Sequence, residues 1–471
     1  MKAQLEFALL EILRRNGIQP TQAELDDFEN RFVCGLWNKI VKERMDEKLI
    51  IKNNVEAASI VLPNGKVGED YQVSIPFNIK GVEDFTMEGL DAVTLSFEKN
   101  DTGFVIKGIP QPENTKGGDF ELLLRYKIKD SLPGDKWMSR KLTLIINPDP
   151  RTLWQNIPTP RDTVYYKEDS DKDYVKVEAK DGMPRKDMVA ASQRGRSHAH
   201  EGKARDDHFL LYHSEETDWY VMAVADGAGS AKFSREGSKI ACETVVNHCK
   251  EALADSSSFD EILQKYAENT ESQEARKLVG DSIYSIVGNA AFKAHNAIKK
   301  EAERHEAENS DGTKLKDYAT TLLLAICKHF DFGWVVASFW VGDGAMCVYD
   351  AERHTADLLG MPDEGEFAGQ TRFLTMPDVF ANGASVYQRL RFKIYPDFTA
   401  LLLMTDGVSD PKFATDANLL NPDKWDALWK DLKDNGVELT DDNEQAQEQL
   451  LEWLNFWDKG NHDDRTIAIL Y

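Results

Sequence analysis

The sequence predicts an α+β protein with more than one domain. Three observations carry that expectation. Helical periodicity marks the first 48 or so residues and returns over 259–308. Short β-branched apolar runs bounded by Gly, Asn, Asp and Pro fill much of the rest. The 471 residues also exceed the roughly 150 of a usual single domain.

Residues 1–48 form the first predicted element. Apolar residues recur at helical spacing from Leu5 to Leu13, Asn16-Gly17 and Pro20 interrupt the pattern, and a second helix is expected over Gln22 to Met45. The pair reads as a helical hairpin that packs on its own chain or on a partner. Residues 49–150 change character. YQVSIPF, AVTLSF, GFVIKGI, FELLLRYKI and KLTLIINP are short alternating strands, which predict a small all-β sandwich of Ig-like proportions. The segment has no Cys…Trp…Cys pattern and no acid, base or nucleophile set, so it reads as a binding or spacer module. Residues 151–187, rich in Pro, Asp and Lys, are expected to be a linker, with Trp154 and Tyr165-Tyr166 as the exceptions that dock on a neighbour.

The remaining residues, 188–471, are organised around Trp219 to Val246. WYVMAVA has the length and composition of a buried strand and ends on Asp226-Gly227, after which a helix starts near Ser234. The same device recurs. ALLLMT ends on Asp406-Gly407, Asp463-Asp464 precedes TIAIL, and Asp206-Asp207 precedes HFLLYH. Only SEETD separates HFLLYH from WYVMAVA, so an antiparallel hairpin would bring Asp207 and Asp226 to one sheet edge. Carboxylates gathered so closely repel one another unless a cation neutralises them, and an oxygen-only set favours Mg²⁺ or Mn²⁺ over zinc. SQRGRSHAHEGKARDD is the one dense cationic patch. Its Arg194, Arg196, His198, Lys203 and Arg205 are candidate phosphate donors. Asp343-Gly344, between WVVASFWV and AMCVY, reads as a two-residue hairpin turn. Trp425, Trp429, Trp453 and Trp457 read as core packing.

Five blocks in order resemble the metal-dependent protein phosphatases of the 2C type, in their bacterial branch, over about residues 190–471. They are GRSHAHEGKARDDHF, VADGAGSAKFSREGS, DYATTLLLA with WVGDGAMCVY, GEFAGQTRFLT, and LLLMTDGVSD with DDRTIAIL. The resemblance implies a catalytic domain of two β-sheets flanked by helices. It implies hydrolysis of phosphoserine and phosphothreonine on proteins by a dinuclear Mg²⁺/Mn²⁺ centre, with a metal-bound water as nucleophile. By the family's pattern Asp226 and Asp406 are the catalytic carboxylates. Asp207, Asp226, Gly227, Asp406 and Asp463 hold the two metals, and Asp464 is a weaker ligand. Asp317 is a candidate for a third ion, and GMPDEGEFAGQTRFLTMPDVFANG resembles the flap of the bacterial branch. The partner expected is a phosphoprotein substrate, a Ser/Thr kinase or that kinase's target.

The alternatives are a phosphoprotein-binding pseudo-phosphatase and a signalling scaffold with Ca²⁺-binding acidic loops. The intact acidic set argues against the first. The spread of the carboxylates along the chain argues against the second, since a Ca²⁺ loop gathers its ligands within one short segment. Lys plus Arg total 57 against 81 Asp plus Glu, and the net charge of −24 disfavours nucleic acid and anionic membrane as partners. Five scattered cysteines without a CxxC pair point to a reducing compartment and no structural zinc. Neither a leader nor a membrane span is expected, so the chain reads as soluble and cytoplasmic.

Overall fold

A computed structural model describes residues 2–111, 117–129, 136–178, 184–363, 371–441 and 443–471. The chain divides into two units, Met1–Leu153 and Trp154–Tyr471. The GEFAGQTRFLT block lies partly outside the described residues. Among them, no helix is long and apolar enough to cross a membrane.

In the first unit, three helices, α1 (Lys2–Arg15), α2 (Gln22–Phe28) and α3 (Gly35–Ala57), precede the strands. Thr21 and Glu24 form a reciprocal capping box that starts α2. The helix expected over Gln22 to Met45 is instead broken by a π-helical turn at Glu29–Cys34 and then runs on to Ala57. The extension has a packing cause: Val55 is fully buried and Ile51 packs on the same apolar cluster as the strands. The Arg140 guanidinium also donates to the carbonyls of Val55 and Ala58, at 2.6 and 2.8 Å, fixing the helix end to the sheet.

Among the described residues the strands are β1 (Gly65–Lys66), β2 (Tyr71–Pro76), β3 (Val82–Glu88), β4 (Leu95–Asn100), β5 (Gly103–Gly108), β6 (Gly118–Ile128) and β7 (Met138–Asn147). They form a four-stranded sheet, β1-β7-β6-β3, and a three-stranded one, β2-β5-β4. Period-2 alternation places Leu122, Leu124, Tyr126 and Ile128 of β6 with Phe104 and Ile106 of β5 in one core. Sequence reading overlooked β3, whose seven residues bury only Met87 and whose pairing with β6 is irregular near Val82.

The second unit continues with β8 (Ser170–Val175), β9 (Met188–Gln193), α4 (Arg196–Glu201), β10 (His208–His213), β11 (Tyr220–Ala225), α5 (Ser234–Leu253), α6 (Ser257–Glu268), α7 (Gln273–Ile283) and α8 (Asn289–Asn309). Then come β12 (Leu322–Phe330), β13 (Gly333–Val341), β14 (Ala345–Asp350), β15 (Thr355–Leu358), α9 (Gly383–Tyr387), β16 (Leu390–Tyr395) and β17 (Ala400–Met404). The chain closes with α10 (Asp406–Phe413), α11 (Asp416–Leu419), α12 (Pro422–Asp434), α13 (Ala446–Trp453) and β18 (Arg465–Leu470).

Two antiparallel sheets result, β10-β11-β12-β13-β16 and β15-β14-β17-β18-β9-β8. Strand β11 shows why the apolar run is continuous. Tyr220, Met222 and Val224 face the core between the sheets, while Val221, Ala223 and Ala225 face helices α5 to α8. Helices α10 to α13 cover the outer face of the six-stranded sheet, with Trp425 and Trp453 buried there. Burial on both faces removes the polar alternation that a half-exposed strand would carry.

Two sequence expectations are corrected here. The stretch read as a linker, 151–187, is largely built into the second unit. Strand β8 pairs with β9, and Trp154 lies 4.3 Å from the His462 ring between centroids. The Tyr165 hydroxyl bonds Glu301, His305 and Tyr318 at 2.7, 2.9 and 2.8 Å. Its polar composition concealed this because β8 is an edge strand that buries little. Asp343-Gly344, in turn, is not a hairpin turn. β13 and β14 belong to different sheets, and the dipeptide is the crossover between them.

Candidate metal centre

The β10–β11 register pairs His208 with Ala225, so Asp207 and Asp226 meet at one edge, as the hairpin spacing predicts. In the other sheet, Met404 pairs with both Ala345 and Ile467. That register carries Asp406, Asp343 and Asp463-Asp464 to the same end of the sandwich. Oxygens of Asp226, Asp343 and Asp406 all lie within 4.8 Å of one another. Burial, reinforced by mutual repulsion, pushes the carboxyls of Asp226 and Asp406 well above the ordinary range. Burial, then Asp464, pushes Asp207 up to about 7. Asp343 and Asp463 also shift upward, with burial as the main cause.

Each carboxylate is positioned by its surroundings. Thr405 and Thr466 donate to Asp207 Oδ2 at 2.9 and 2.7 Å. Asp207 Oδ1 is buried with no hydrogen-bond partner, and so are Oδ1 of Asp343 and of Asp406. Thr321 Oγ1 accepts from the Asp226 amide at 2.9 Å, and Thr320 Oγ1 donates to the Asp226 carbonyl at 2.8 Å. These bonds use the Asp226 backbone and leave its carboxylate to the cluster. Gly407 is required by close approach, since a Cβ there would stand 1.9 Å from the Asp464 carbonyl oxygen. At Gly227 a Cβ would meet the Asp206 carbonyl oxygen at 2.7 Å.

Orphaned acceptor oxygens converging in a buried acidic cluster are the chemistry that a hard divalent cation satisfies. The residues present therefore fit the ions expected from the sequence. Asp343, read as a turn, is the residue that sequence reasoning missed. Its signal was an apolar run ending on Asp-Gly, the same device as at Asp226 and Asp406. Asp317 is not part of this group. Its Oδ2 accepts from the Lys314 amide at 2.7 Å and caps its own turn.

Asp464 takes a different role. Its carboxylate accepts from the Gly195 amide at 2.6 Å and also from the Asp206 amide. It meets His198 Nδ1 at 3.0 Å as well. Burial opposes ionisation of Asp464, but His198 and these amides hold it below the ordinary value. Burial likewise disfavours charge on His198, yet Asp464 raises it to about 9. His198 and Asp464 thus form a buried clamp on the loops that carry Asp207 and Asp463.

The other cationic candidates are turned to structural partners. Arg194 reaches Thr159 Oγ1 at 2.7 Å, Asn156 Oδ1 at 2.7 Å and Asp169 at 2.9 Å. Arg196 donates to the carbonyls of Phe456 and Asn455 at 3.1 and 2.8 Å. Lys203 pairs with Glu201 on the surface. Arg205 is almost wholly buried, 3.3 Å from the Glu168 carbonyl and 3.6 Å from Asp171. Of the predicted phosphate donors, Arg205 is thus buried against structural partners, whereas Lys203 stays exposed at the surface. Arg235 of α5 also stands near the cluster, with its Nη1 3.3 Å from Asp206 Oδ1.

Residues 194–455, more than half of the chain, match the family model described as protein phosphatase 2C. Solved structures to which the chain is similar include the serine/threonine phosphatase Stp1 from Staphylococcus aureus, at 14% identity and TM-score 0.35, covering 62% of this chain and 98% of that one. A serine-threonine phosphatase 2C from Toxoplasma gondii is 12% identical at TM-score 0.38, covering 64% and 98%. The catalytic domain of the phosphatase PstP, in complex with two manganese ions, is 14% identical at TM-score 0.33, covering 60% and 96%. No curated protein matches the sequence. On the family match across more than half its length, the chain belongs to the protein phosphatase 2C family.

Proposed function

We propose that this chain is a metal-dependent phosphatase that hydrolyses phosphoserine and phosphothreonine on proteins. The observation that carries the reading is the group Asp226, Asp343 and Asp406, with Asp207 close by and three orphaned buried carboxylate oxygens. Asp207, Asp226, Asp406 and Asp463, with the Gly227 carbonyl, would hold two Mg²⁺ or Mn²⁺ ions, and Asp343 would serve these or a further ion. Bound there, the ions would supply Lewis acidity toward water and phosphoryl oxygens near neutral pH.

The chain's own residues do the rest. Thr405 and Thr466 orient Asp207 so that one oxygen faces the cluster. The Thr320–Thr321 pair fixes the Asp226 backbone at the strand end. His198 and Asp464 brace the loops on either side. The four cysteines of the catalytic unit, Cys242, Cys249, Cys327 and Cys347, are buried and free, which disfavours a thiolate nucleophile. The β-rich first unit, of Ig-like proportions, would select the phosphoprotein, with a kinase or its target as the expected partner.

The test is hydrolysis of a phosphothreonine peptide by the full chain in Mn²⁺, with Asp226→Asn and Asp406→Asn beside it. Each variant is expected to lose at least about 100-fold in kcat/KM, and chelator to abolish turnover. Full activity in excess chelator, or in the Asp226→Asn protein, overturns the reading.

A further inference from the structure

The Asp206–Asp207 dipeptide is gripped from behind by two side chains that meet each other. Lys167 Nζ donates to the Asp207 carbonyl at 2.9 Å and approaches Ser238 Oγ at 3.3 Å. Ser238, fully buried on α5, donates at 2.5 Å to the Asp206 carbonyl. Both carbonyls that flank the expected ligand are therefore held by one pair. Among the described residues Lys167 forms no ion pair with a carboxylate, and its Nζ hydrogen-bonds only the Asp207 carbonyl and Ser238 Oγ. Two further buried cations or donors stand nearby: Arg205 Nη1 and His208 Nδ1 both lack hydrogen-bond partners. Lys167 lies outside residues 194–455, the part of the chain that carries the family match.

We propose that Lys167 and Ser238 are positioning residues of the cation site, and that the segment before β9 completes that site by delivering Lys167. The inference rests on the cation-binding reading given above. An ammonium donating to a carbonyl has little freedom when its other neighbour is fixed within a helix. Asp207 Oδ2 is already held by Thr405 and Thr466. The lysine adds the backbone restraint, so Oδ1 is presented in one place. Groups that orient a metal ligand from behind typically change metal affinity by about 10- to 100-fold when removed.

The experiment is calorimetric titration of the full chain with Mn²⁺, with free Mn²⁺ counted independently by electron paramagnetic resonance. Lys167→Met is expected to weaken Mn²⁺ binding by about 10-fold or more, and Ser238→Ala by a smaller factor in the same direction. The melting temperature of the metal-free Lys167→Met protein should stay near the parent's or rise, because no ion pair among the described residues is broken and an amine is no longer desolvated. A purely structural lysine would instead lower the metal-free melting point and leave the affinity of the folded fraction alone, which overturns the proposal. Should Lys167→Met not fold, Ser238→Ala decides: parent-like Mn²⁺ affinity there overturns the clamp. If the parent chain itself binds no Mn²⁺, the cation reading falls. Tight binding by the parent with no change in either variant overturns only this inference.

Discussion

At the scale of single residues, burial decides reactivity more than residue type does. Burial raises the Cys249 thiol to about 12 and also raises Cys242, Cys327 and Cys347. A raised thiol stays protonated below its shifted value, so at pH 8 these four sulfurs are not thiolates. Cys34, in the helical segment, is the partly exposed one. An Ellman titration at pH 8 should therefore count one fast thiol per native chain and five after denaturation. Fast reaction of more than one thiol in the native protein would contradict the buried placement. The same reasoning separates the carboxylates. Asp464 is surrounded by donors and ionises readily, whereas Asp226 and Asp406 face other carboxylates and are held protonated to higher pH.

At the scale of elements, strand registers bring the acidic residues together and close backbone approaches hold the loops in place. The start of α10 lies against the Asp464 carbonyl, and only glycine fits at 407. Gly407→Ala would have to displace that loop or the helix. A loss on the order of 1–3 kcal/mol of unfolding free energy is expected, the magnitude typical of overpacking in a well-packed core. Urea unfolding measures it, and a parent-like midpoint with unchanged Mn²⁺ binding would refute the clash. The β13–β14 connection shows the limit of local reading. An Asp-Gly between two apolar runs has the signature of a hairpin, yet these strands belong to different sheets. No local propensity distinguishes a turn within a sheet from a crossover between two.

At the scale of the whole molecule, the division falls at Leu153–Trp154 and not after a linker ending near 187. Residues 154–175 contribute Tyr165 to a buried hydroxyl network, Lys167 to the Asp207 backbone and β8 to the six-stranded sheet. A chain beginning at Trp154 should fold with one cooperative transition and hydrolyse a small aryl phosphate at the full-length rate. A chain beginning at Asp187 should be recovered insoluble or with a markedly lower melting temperature. Circular dichroism and the aryl phosphate assay on the two truncated chains check this. Equal stability of both would show that the segment is dispensable. The net charge of −24 attracts cations to the molecule, so cation affinity is best compared at fixed ionic strength.

Much of the site was legible in the sequence, because it depends on strand ends. An apolar run that stops on a carboxylate is visible locally, and a five-residue gap between two such runs dictates a hairpin. That reasoning placed Asp207 beside Asp226 and singled out Asp406 and Asp463. The ordered blocks also carried the family, which the match over residues 194–455 shows. What tertiary structure decided were the pairings between residues far apart in the chain. Asp343 joined Asp226 and Asp406 because two sheets stack at that edge. Arg194, Arg196 and Arg205 found structural partners elsewhere, as far as 260 residues along the chain. Lys167 left no signal at all: a lysine in a polar stretch reads as solvated until the fold buries its ammonium against a carbonyl. The physical reason is common to all three. Periodicity and turn chemistry report a residue's own backbone, whereas ligand sets and ion pairs depend on which surfaces the packing of two sheets brings into contact.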